Sequence, residues 1–277
     1  MFKLFLMFIL FSFLFTGCIN TAPQINTVQE NFYIEFLSTG KSDCTIIISD
    51  GKAVMCDTAE SDNGHEITSR LKELGIKKLE YLILTHFDKD HIGGVSAVLS
   101  SVEVGTVFTP DYESYSDSYY DMIYAVSSSN AEYIKLTKDT NFKLGKGEFN
   151  INIPKAEEYE NENNYSLITS VKYGDTSFLL TGDALKIRMT EYLDETNAEQ
   201  YNVIKMPHHG DYYKKLSELF SITKPQYCII NCDASRETVG KKLINQMNEF
   251  NIEPLYTDIS GYGFTSDGKA LQLKYID

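Results

Sequence analysis

The chain has 277 residues, enough to bury one large core or two small ones, and 43% of them are hydrophobic and 23% charged. These fractions are ordinary for a globular protein and exclude global disorder. The formal net charge of −14 and the lack of any Lys/Arg cluster argue against a non-specific nucleic-acid binder, because such proteins neutralise phosphates with basic patches.

The N-terminus has the composition of an export signal. Lys3 precedes an apolar run over residues 4–15, too short to span a membrane comfortably, and the triplet TGC ends at Cys18. The pattern resembles a bacterial lipoprotein signal in which Cys18 is acylated, although Phe15 stands where leucine is usual. An ordinary secretory signal and an uncleaved anchor are the alternatives, and all three predict export.

We predict three parts in the chain. Residues 1–18 form the lipoprotein-type signal, the polar stretch 19–30 forms a tether, and residues 31–277 form one hydrolase domain. Export permits disulfides. The four cysteines after Cys18 nevertheless fit buried free thiols better, because a strand over QYCIINC separates two of them by about 13 Å and the other two are out of register on a hairpin.

The body alternates strand and helix patterns without a linker between its halves. Strands are predicted at residues 32–38, 45–49, 52–58, 81–86, 104–110, 148–153, 166–173, 177–183, 202–208, 226–231 and 271–276. Helices are predicted at residues 67–75, 92–102, 184–196, 213–223 and 237–250. Helices interleaved with two groups of strands predict α/β layers, with two sheets face to face and strand ends gathered along one edge.

The stretch LTHFDKDHIGG, residues 84–94, follows an apolar strand. His86 and Asp88 point the same way on an extended backbone, because side chains alternate there. Asp90 and His91 follow as the chain turns into a helix. Imidazole and carboxylate together suit Zn, Mn or Fe better than calcium. The alternative is a solvated charged turn with Asp90 as the helix N-cap.

Two further motifs place metal-ligand residues at strand ends. TGD ends at Asp183, whose alternative role is a helix N-cap, and KMPHHG contains His208 and His209, whose alternative place is a surface loop. Of the five histidines only His65 lies outside these motifs and the 84–94 stretch. Lys205, three residues before His208, is interpreted as a solvated lysine.

THFDKDHIGG, NNYS, LLTGD and KMPHHG, in this order, resemble the metallo-β-lactamase superfamily. With FLSTGKSD, VMCDT and YTDISGYGF, they most resemble the branch shared by the C-terminal domain of the DNA-uptake protein ComEC and the phosphorylcholine esterases. The resemblance covers nearly all of residues 31–277. It implies an αββα four-layer sandwich with a two-metal site on its edge.

The resemblance also implies roles for single residues. His86 and Asp88 would bind one metal, Asp90 and His91 the other, and Asp183 would bridge them. Either His208 or His209 would complete the second metal, and the other would donate a proton or hydrogen-bond the substrate. The implied catalytic residues are Asp90, His208 and His209. Asp57 would order the metal loop from behind, and Asn164 would stand near the metals.

Two departures from the wider superfamily fit the ComEC-like branch: Asp88 replaces a usual histidine, and Asn164 replaces a third. We expect two divalent ions, Zn first and Mn as the competitor, holding a bridging hydroxide for attack. Clustered carboxylates repel one another without metal, so we expect metal to stabilise the protein.

A two-metal site favours phosphodiester substrates, here nucleic acid or a cell-surface phosphodiester. The membrane is the second expected partner, through the N-terminal lipid, and nothing in the sequence indicates a protein partner. The alternatives are a non-catalytic surface-binding lipoprotein on the same fold and a hydrolase of carbon esters or amides.

A tyrosine-rich segment at residues 111–124 suggests a second possible feature. Aromatic faces can bind a choline-like cation. Spacings of three to five are more typical of a helix face that packs on the body, which we favour. The tyrosines are Tyr112, Tyr115, Tyr119, Tyr120 and Tyr124.

Overall fold

The computed structural model describes residues 31–195, 199–233 and 239–276. The signal and tether predicted for residues 1–18 and 19–30, with Cys18, lie outside the described residues and stay predictions. Within the described ranges, no helix combines the length and apolarity needed to cross a membrane.

The described part of the chain forms fifteen strands and seven α-helices. The strands are β1 (Phe32–Phe36), β2 (Thr45–Ser49), β3 (Lys52–Cys56), β4 (Lys78–Ile83), β5 (Glu103–Pro110), β6 (Glu132–Leu136), β7 (Thr140–Leu144), β8 (Gly147–Asn152), β9 (Ile168–Tyr173), β10 (Thr176–Leu180), β11 (Val203–Lys205), β12 (Tyr227–Ile230), β13 (Glu253–Tyr256), β14 (Gly261–Ser266) and β15 (Leu271–Ile276). The helices are α1 (Gly64–Glu73), α2 (Lys89–Ile92), α3 (Val95–Ser101), α4 (Asp117–Ser127), α5 (Lys186–Glu195), α6 (Leu216–Thr223) and α7 (Lys241–Glu249). Short 3-10 turns lie at Ser61–Asn63, Glu162–Tyr165 and Pro207–Gly210.

The strands form two mixed sheets. The first has the order β15-β14-β1-β2-β3-β4-β5-β6, and the second has the order β13-β12-β11-β10-β9-β8-β7. Within them β3 and β4 run parallel, as do β10 and β11. The carboxyl ends of each parallel pair therefore lie at one edge of their sheet.

Three apolar clusters separate four layers. A central cluster joins the two sheets, with Phe32 and Phe178 among its fully buried members. A second cluster lies between the first sheet and α1, α3 and α4, and a third lies between the second sheet and α5, α6 and α7. The predicted αββα four-layer sandwich is therefore confirmed.

The sequence of β1 explains how one strand serves two layers. Phe32, Ile34 and Phe36 belong to the central cluster, whereas Tyr33 belongs to the helix-side cluster. This is the period of two expected for a strand buried on both faces. On the helix side the buried Glu35 carboxylate accepts from Arg70 of α1 at 2.8 Å, so the charge that faces the helix layer is paired.

Four strands, β6, β7, β13 and β14, were not predicted from the sequence. Three of them contain exposed or half-buried positions that weaken the apolar pattern. The fourth, β14, has glycines at Gly261 and Gly263, which are unfavourable in strands, and forms only by pairing with β1 and β15. The helix predicted over residues 92–102 is also divided, because α2 ends at Ile92 and α3 begins at Val95.

The predictions for cysteines and tyrosines have different outcomes. Cys44, Cys56, Cys228 and Cys232 are buried free thiols, as predicted. Tyr112 and Tyr119 are buried. The packing interpretation is wrong for the other three tyrosines, which are at least half exposed. Two of them lie on the solvent face of α4, which turns Tyr119, Met122 and Val126 toward the body, and the third precedes that helix. The exposed tyrosines are Tyr115, Tyr120 and Tyr124.

Candidate metal centre

Five chain segments bring their polar residues to one edge of the sandwich. Asp57 follows β3, residues 86–91 follow β4, Asp183 follows β10, and residues 208–209 follow β11. Asp43 lies just before β2, which runs antiparallel to β3 and so begins at the edge where β3 ends. Both sheets thus contribute ligand-type side chains to the same place.

The loop after β4 is held against the segment at residues 58–61. His86 and His91 are fully buried and their ring centroids lie 4.2 Å apart. Gly94 permits this packing, because a Cβ there would lie 2.2 Å from the carbonyl oxygen of Thr58. The same loop leaves Asp88 more accessible, with its carboxylate 3.6 Å from His86 Nε2.

Asp57 lies behind this loop. Its left-handed backbone, with φ of 59°, lets its carboxylate accept from Thr85 N and Thr85 Oγ1, both at 2.8 Å. The second oxygen also lies 2.8 Å from His91 Nδ1. A hydrogen bond to Nδ1 fixes the tautomer of His91 and turns Nε2 toward Asp183 Oδ1, 3.2 Å away.

The two neighbouring histidines of the HHG motif differ in their surroundings. His209 is buried, and its Nε2 lies 3.1 Å from Asp183 Oδ2 and 3.3 Å from Asp90 Oδ2. His208 is partly exposed, with Nε2 4.0 Å from Asp183 and Nδ1 2.8 Å from Asp211 Oδ2. Both have left-handed backbones, and their ring planes lie 45° apart. The geometry therefore places His209, not His208, against the carboxylates.

Asp43 is a member of the site that the sequence analysis did not identify. Ligand atoms of Asp43, His91, Asp183 and His209 lie within 4.8 Å of one another, and all four residues are buried. Its backbone N–H donates to Asp90 O at 3.1 Å, which ties the start of β2 to the metal loop. The one available signal was an acidic residue in FLSTGKSD immediately before a buried strand.

Lys205 is buried, so its interpretation as a solvated lysine was wrong. Its ammonium forms a close ion pair with Asp43, lies 3.4 Å from Asp183 Oδ1 and donates to Gly182 O at 3.1 Å. The physical reason is that all of β11 is enclosed, and the buried carboxylates compensate the charge of the ammonium.

Asn164 lies on the 3-10 turn Glu162–Tyr165 and is buried. Its side-chain oxygen accepts from the backbone N–H of Arg188 at 3.3 Å. Two residues later, Ser166 Oγ accepts from Asp183 N at 3.1 Å. This turn therefore supports the loop of Asp183, while the role of Asn164 near metal stays a prediction.

Unpaired nitrogen atoms indicate that the cluster fits a metal. His86 Nε2, His91 Nε2 and both ring nitrogens of His209 are buried and make no hydrogen bond, although carboxylates lie nearby. Buried polar atoms are rarely left without a partner, and several together require an explanation. Imidazole nitrogen with carboxylate oxygen is a donor set of Zn, Mn and Fe sites. The residues present therefore fit a divalent cation.

The charges of the cluster are strongly coupled. Burial alone would lower the pKa of His209, but Asp183, Asp90 and Asp43 outweigh it and raise the pKa to about 9. The pKa of His91 is likewise raised well above its ordinary value, against the effect of burial. Burial alone would raise the pKa of Asp90, but His209 and His91 lower it to about 2. Without metal, the imidazoles thus hold protons that neutralise the carboxylates.

Comparison with known proteins identifies the class. The sequence profile of the metallo-beta-lactamase superfamily matches residues 37–229, and the chain belongs to this superfamily. Together with the buried Asp/His cluster, this membership defines a metal-dependent hydrolase of the metallo-β-lactamase fold.

Two curated relatives place the chain more closely. It is 28% identical to Recombination protein 2 of Haemophilus influenzae over 208 residues, covering 73% of this chain and 24% of that protein. It is 25% identical to ComE operon protein 3 of Bacillus subtilis over 189 residues, covering 68% and 24%. The chain thus spans about a quarter of the length of either relative. These matches agree with the ComEC-like branch predicted from the motifs.

Solved structures agree on the fold alone. The metallo-beta-lactamase fold protein YhfI from Bacillus subtilis has a TM-score of 0.55 at 8% identity, covering 81% of this chain and 95% of that chain. A diphosphatase from the PhnP family has a TM-score of 0.51 at 12% identity, covering 84% and 98%.

Metal binding should release protons at neutral pH. The pKa of His209 is raised to about 9, so its ring is protonated at pH 7 without metal and must lose that proton to become a ligand. We expect the affinity for Zn or Mn to rise by up to about tenfold per pH unit between pH 6 and 8 for each proton released. Chelator competition across this range measures it. A His65→Ala variant should keep the slope and His209→Ala should reduce it; a flat profile for the wild type would contradict the assignment.

Replacing Lys205 by methionine should destabilise the metal-free protein. Removing one partner of a buried ion pair typically costs about 3–5 kcal/mol, and here it leaves both Asp43 and Asp183 without their cation. The loss should be smaller with saturating Zn, because the metal supplies positive charge to Asp183. Denaturant unfolding with chelator and with Zn measures both values. Lys172→Met removes an exposed lysine and is the control; equal losses with and without Zn would refute this role.

Proposed function

We propose that this protein is an exported, lipid-anchored phosphodiesterase that uses two divalent metal ions. The observation that carries the proposal is the buried cluster of Asp43, His91, Asp183 and His209, with unpaired ring nitrogens, at the strand ends of a metallo-β-lactamase fold. Such a cluster is costly to bury without cations, and its position at the sandwich edge leaves one side open to substrate.

The metals would be held by residues from both sheets. His86 and Asp88 would hold one ion, Asp90, His91 and His209 would hold the other, and Asp183 would lie between them. Zn or Mn bound there would supply an activated water and neutralise charge that develops on the substrate. Asp57 would keep Nε2 of His91 directed to the metal through the bond to Nδ1.

His208 would donate a proton to the leaving group. It is the more exposed histidine of the pair, its Nε2 faces Asp183 from 4.0 Å, and its Nδ1 lies 2.8 Å from Asp211. The Asp211 carboxylate beside Nδ1 orients the ring with Nε2 toward the site, so Nε2 of a protonated His208 could donate a proton as the leaving oxygen departs. Asp211 would then hold the ring in this orientation.

A phosphodiester is the substrate class that a two-metal site favours. With a net charge of −14, the protein must meet an anion through its metals and a few cations. A cavity of about 300 Å³ opens on Asp90 and His209, and its lining includes Lys41 and Lys89 as well as three further carboxylates, Glu60, Asp211 and Asp233. One structural neighbour is named a diphosphatase, and a diphosphate is also a phosphorus-centred substrate. Nucleic acid and a cell-surface phosphodiester are the two candidates.

Hydrolysis of bis(p-nitrophenyl) phosphate by the full chain, with Zn or Mn added after chelation, tests the activity. We expect metal-dependent turnover that falls at least about 100-fold in His209→Ala, because this residue lies against both acidic ligands. His65→Ala changes an exposed histidine outside the site and should keep wild-type turnover.

Three results would contradict parts of this proposal. Wild-type turnover in a His208→Ala, His209→Ala double variant would remove the catalytic role of the motif. Turnover of p-nitrophenyl acetate or a β-lactam without turnover of the diester would favour a hydrolase of carbon esters or amides. Metal binding without any turnover would favour a surface-binding protein on this fold.

The lipid anchor on Cys18 is tested separately. Expressed in bacteria supplied with labelled palmitate, the chain should incorporate label and partition with the membrane, because the TGC triplet follows an apolar run. Cys18→Ser should lose the label, and Cys232→Ser is the control for a general effect of cysteine loss. Labelling that persists in Cys18→Ser would contradict the lipoprotein assignment.

A further inference from the structure

Tyr112 joins the metal loop to the loop after β5. Its hydroxyl accepts from the backbone N–H of Phe87 at 2.9 Å, and its ring lies against the Phe87 ring with centroids 4.5 Å apart. Both residues are buried. Because Phe87 lies between His86 and Asp88, this hydroxyl holds the peptide that connects the two candidate ligands of one metal.

The same side chain reaches the turn on the other sheet. The Tyr112 ring stacks on the Tyr165 ring, with centroids 4.0 Å apart and ring planes 10° apart. The Tyr112 hydroxyl donates to Glu162 Oε2 at 3.5 Å. Tyr165 ends the 3-10 turn that contains Asn164. Tyr112 therefore lies between two segments that build the site, one from each sheet.

Asp88 is the candidate ligand that most needs such support. Its side chain is 43% exposed, against 3% for Asp183 and for His209. Its close charged contact is His86 Nε2 at 3.6 Å, whereas Asp183 is surrounded by His91, His209 and Lys205. The orientation of Asp88 thus depends on the backbone that precedes it, which includes the N–H bound by Tyr112.

We propose that Tyr112 is a positioning residue that fixes the His86–Asp88 pair for the metal that this pair binds. It does not touch the metal ligands' donor atoms; it acts through the Phe87 peptide and the stacked Tyr165. The inference rests on the metal binding that the proposed function requires, but it does not depend on the substrate.

Tyr112→Phe removes the hydroxyl and keeps the ring stacking. Tyr119→Phe is the matched control, because Tyr119 also packs its ring on Phe87, with centroids 4.7 Å apart, but its hydroxyl binds Glu113 instead. The full chain is compared in two measurements: hydrogen exchange of the Phe87 amide in the chelated protein, and titration with Zn and with Mn against a chelating competitor.

In Tyr112→Phe we expect the Phe87 amide to exchange about tenfold faster or more, because its N–H loses its partner. We expect one of the two metals to bind about tenfold more weakly, as is typical when a group that orients a ligand is lost, and the other to bind as in the wild type. Tyr119→Phe should match the wild type in both measurements.

Unchanged metal binding in Tyr112→Phe would overturn the inference, whether or not the amide exchanges faster. An equal loss in Tyr119→Phe would also overturn it, because the effect would then come from packing around Phe87. A wild type that binds no metal would overturn the inference and the proposed function together. Wild-type metal binding without turnover would overturn only the proposed function.

Discussion

Concentrated negative charge is the constraint on which this site depends. Asp43, Asp57 and Asp183 are buried at the edge where the two sheets meet, and Asp90 lies beside them. Buried carboxylates repel one another and lose hydration, so they are stable there only with cations. The structure supplies Lys205 and the imidazoles of His91 and His209, whose raised pKa favours the protonated rings.

Lys205, the protonated imidazoles and a bound metal would have different parts in this compensation. Lys205 is a fixed charge between Asp43 and Asp183, at the back of the cluster. The protons on His91 and His209 are exchangeable, and a metal that replaces them would neutralise the same carboxylates. A site of this kind can stay folded without metal and still bind metal tightly, because one cation substitutes for another. The residues that hold the geometry, Asp57 and Tyr112, then act on orientation and not on charge.

Much of the architecture was predictable because its signals are local. Apolar runs in β1, β2, β4 and β10 predicted buried strands, and the TGD and HHG motifs predicted which strand ends bear functional residues. The strands that were not predicted depend on pairing with neighbouring strands: β14 has two glycines and is held in the sheet by pairing with β1 and β15. No local pattern could have specified that pairing.

The candidate site was predictable where a motif concentrates unusual residues. His86 to His91 and Asp183 were found for this reason, and the structure brings them together. Asp43 and Lys205 were missed or misread, because one acidic residue before a strand and one lysine at the end of a strand are individually common. Only the tertiary contact between the two reveals them as part of the site. Likewise the sequence could not distinguish His208 from His209, since they are adjacent and identical and only the tertiary structure buries one of them against Asp183 and Asp90.

Elemental analysis of the purified full chain tests the central claim most directly. We expect about two equivalents of Zn, Mn or both per chain, lost on chelation and regained on addition of metal. A chain that holds no divalent metal, and binds none when Zn or Mn is supplied, would contradict a metal centre at the edge of this sandwich.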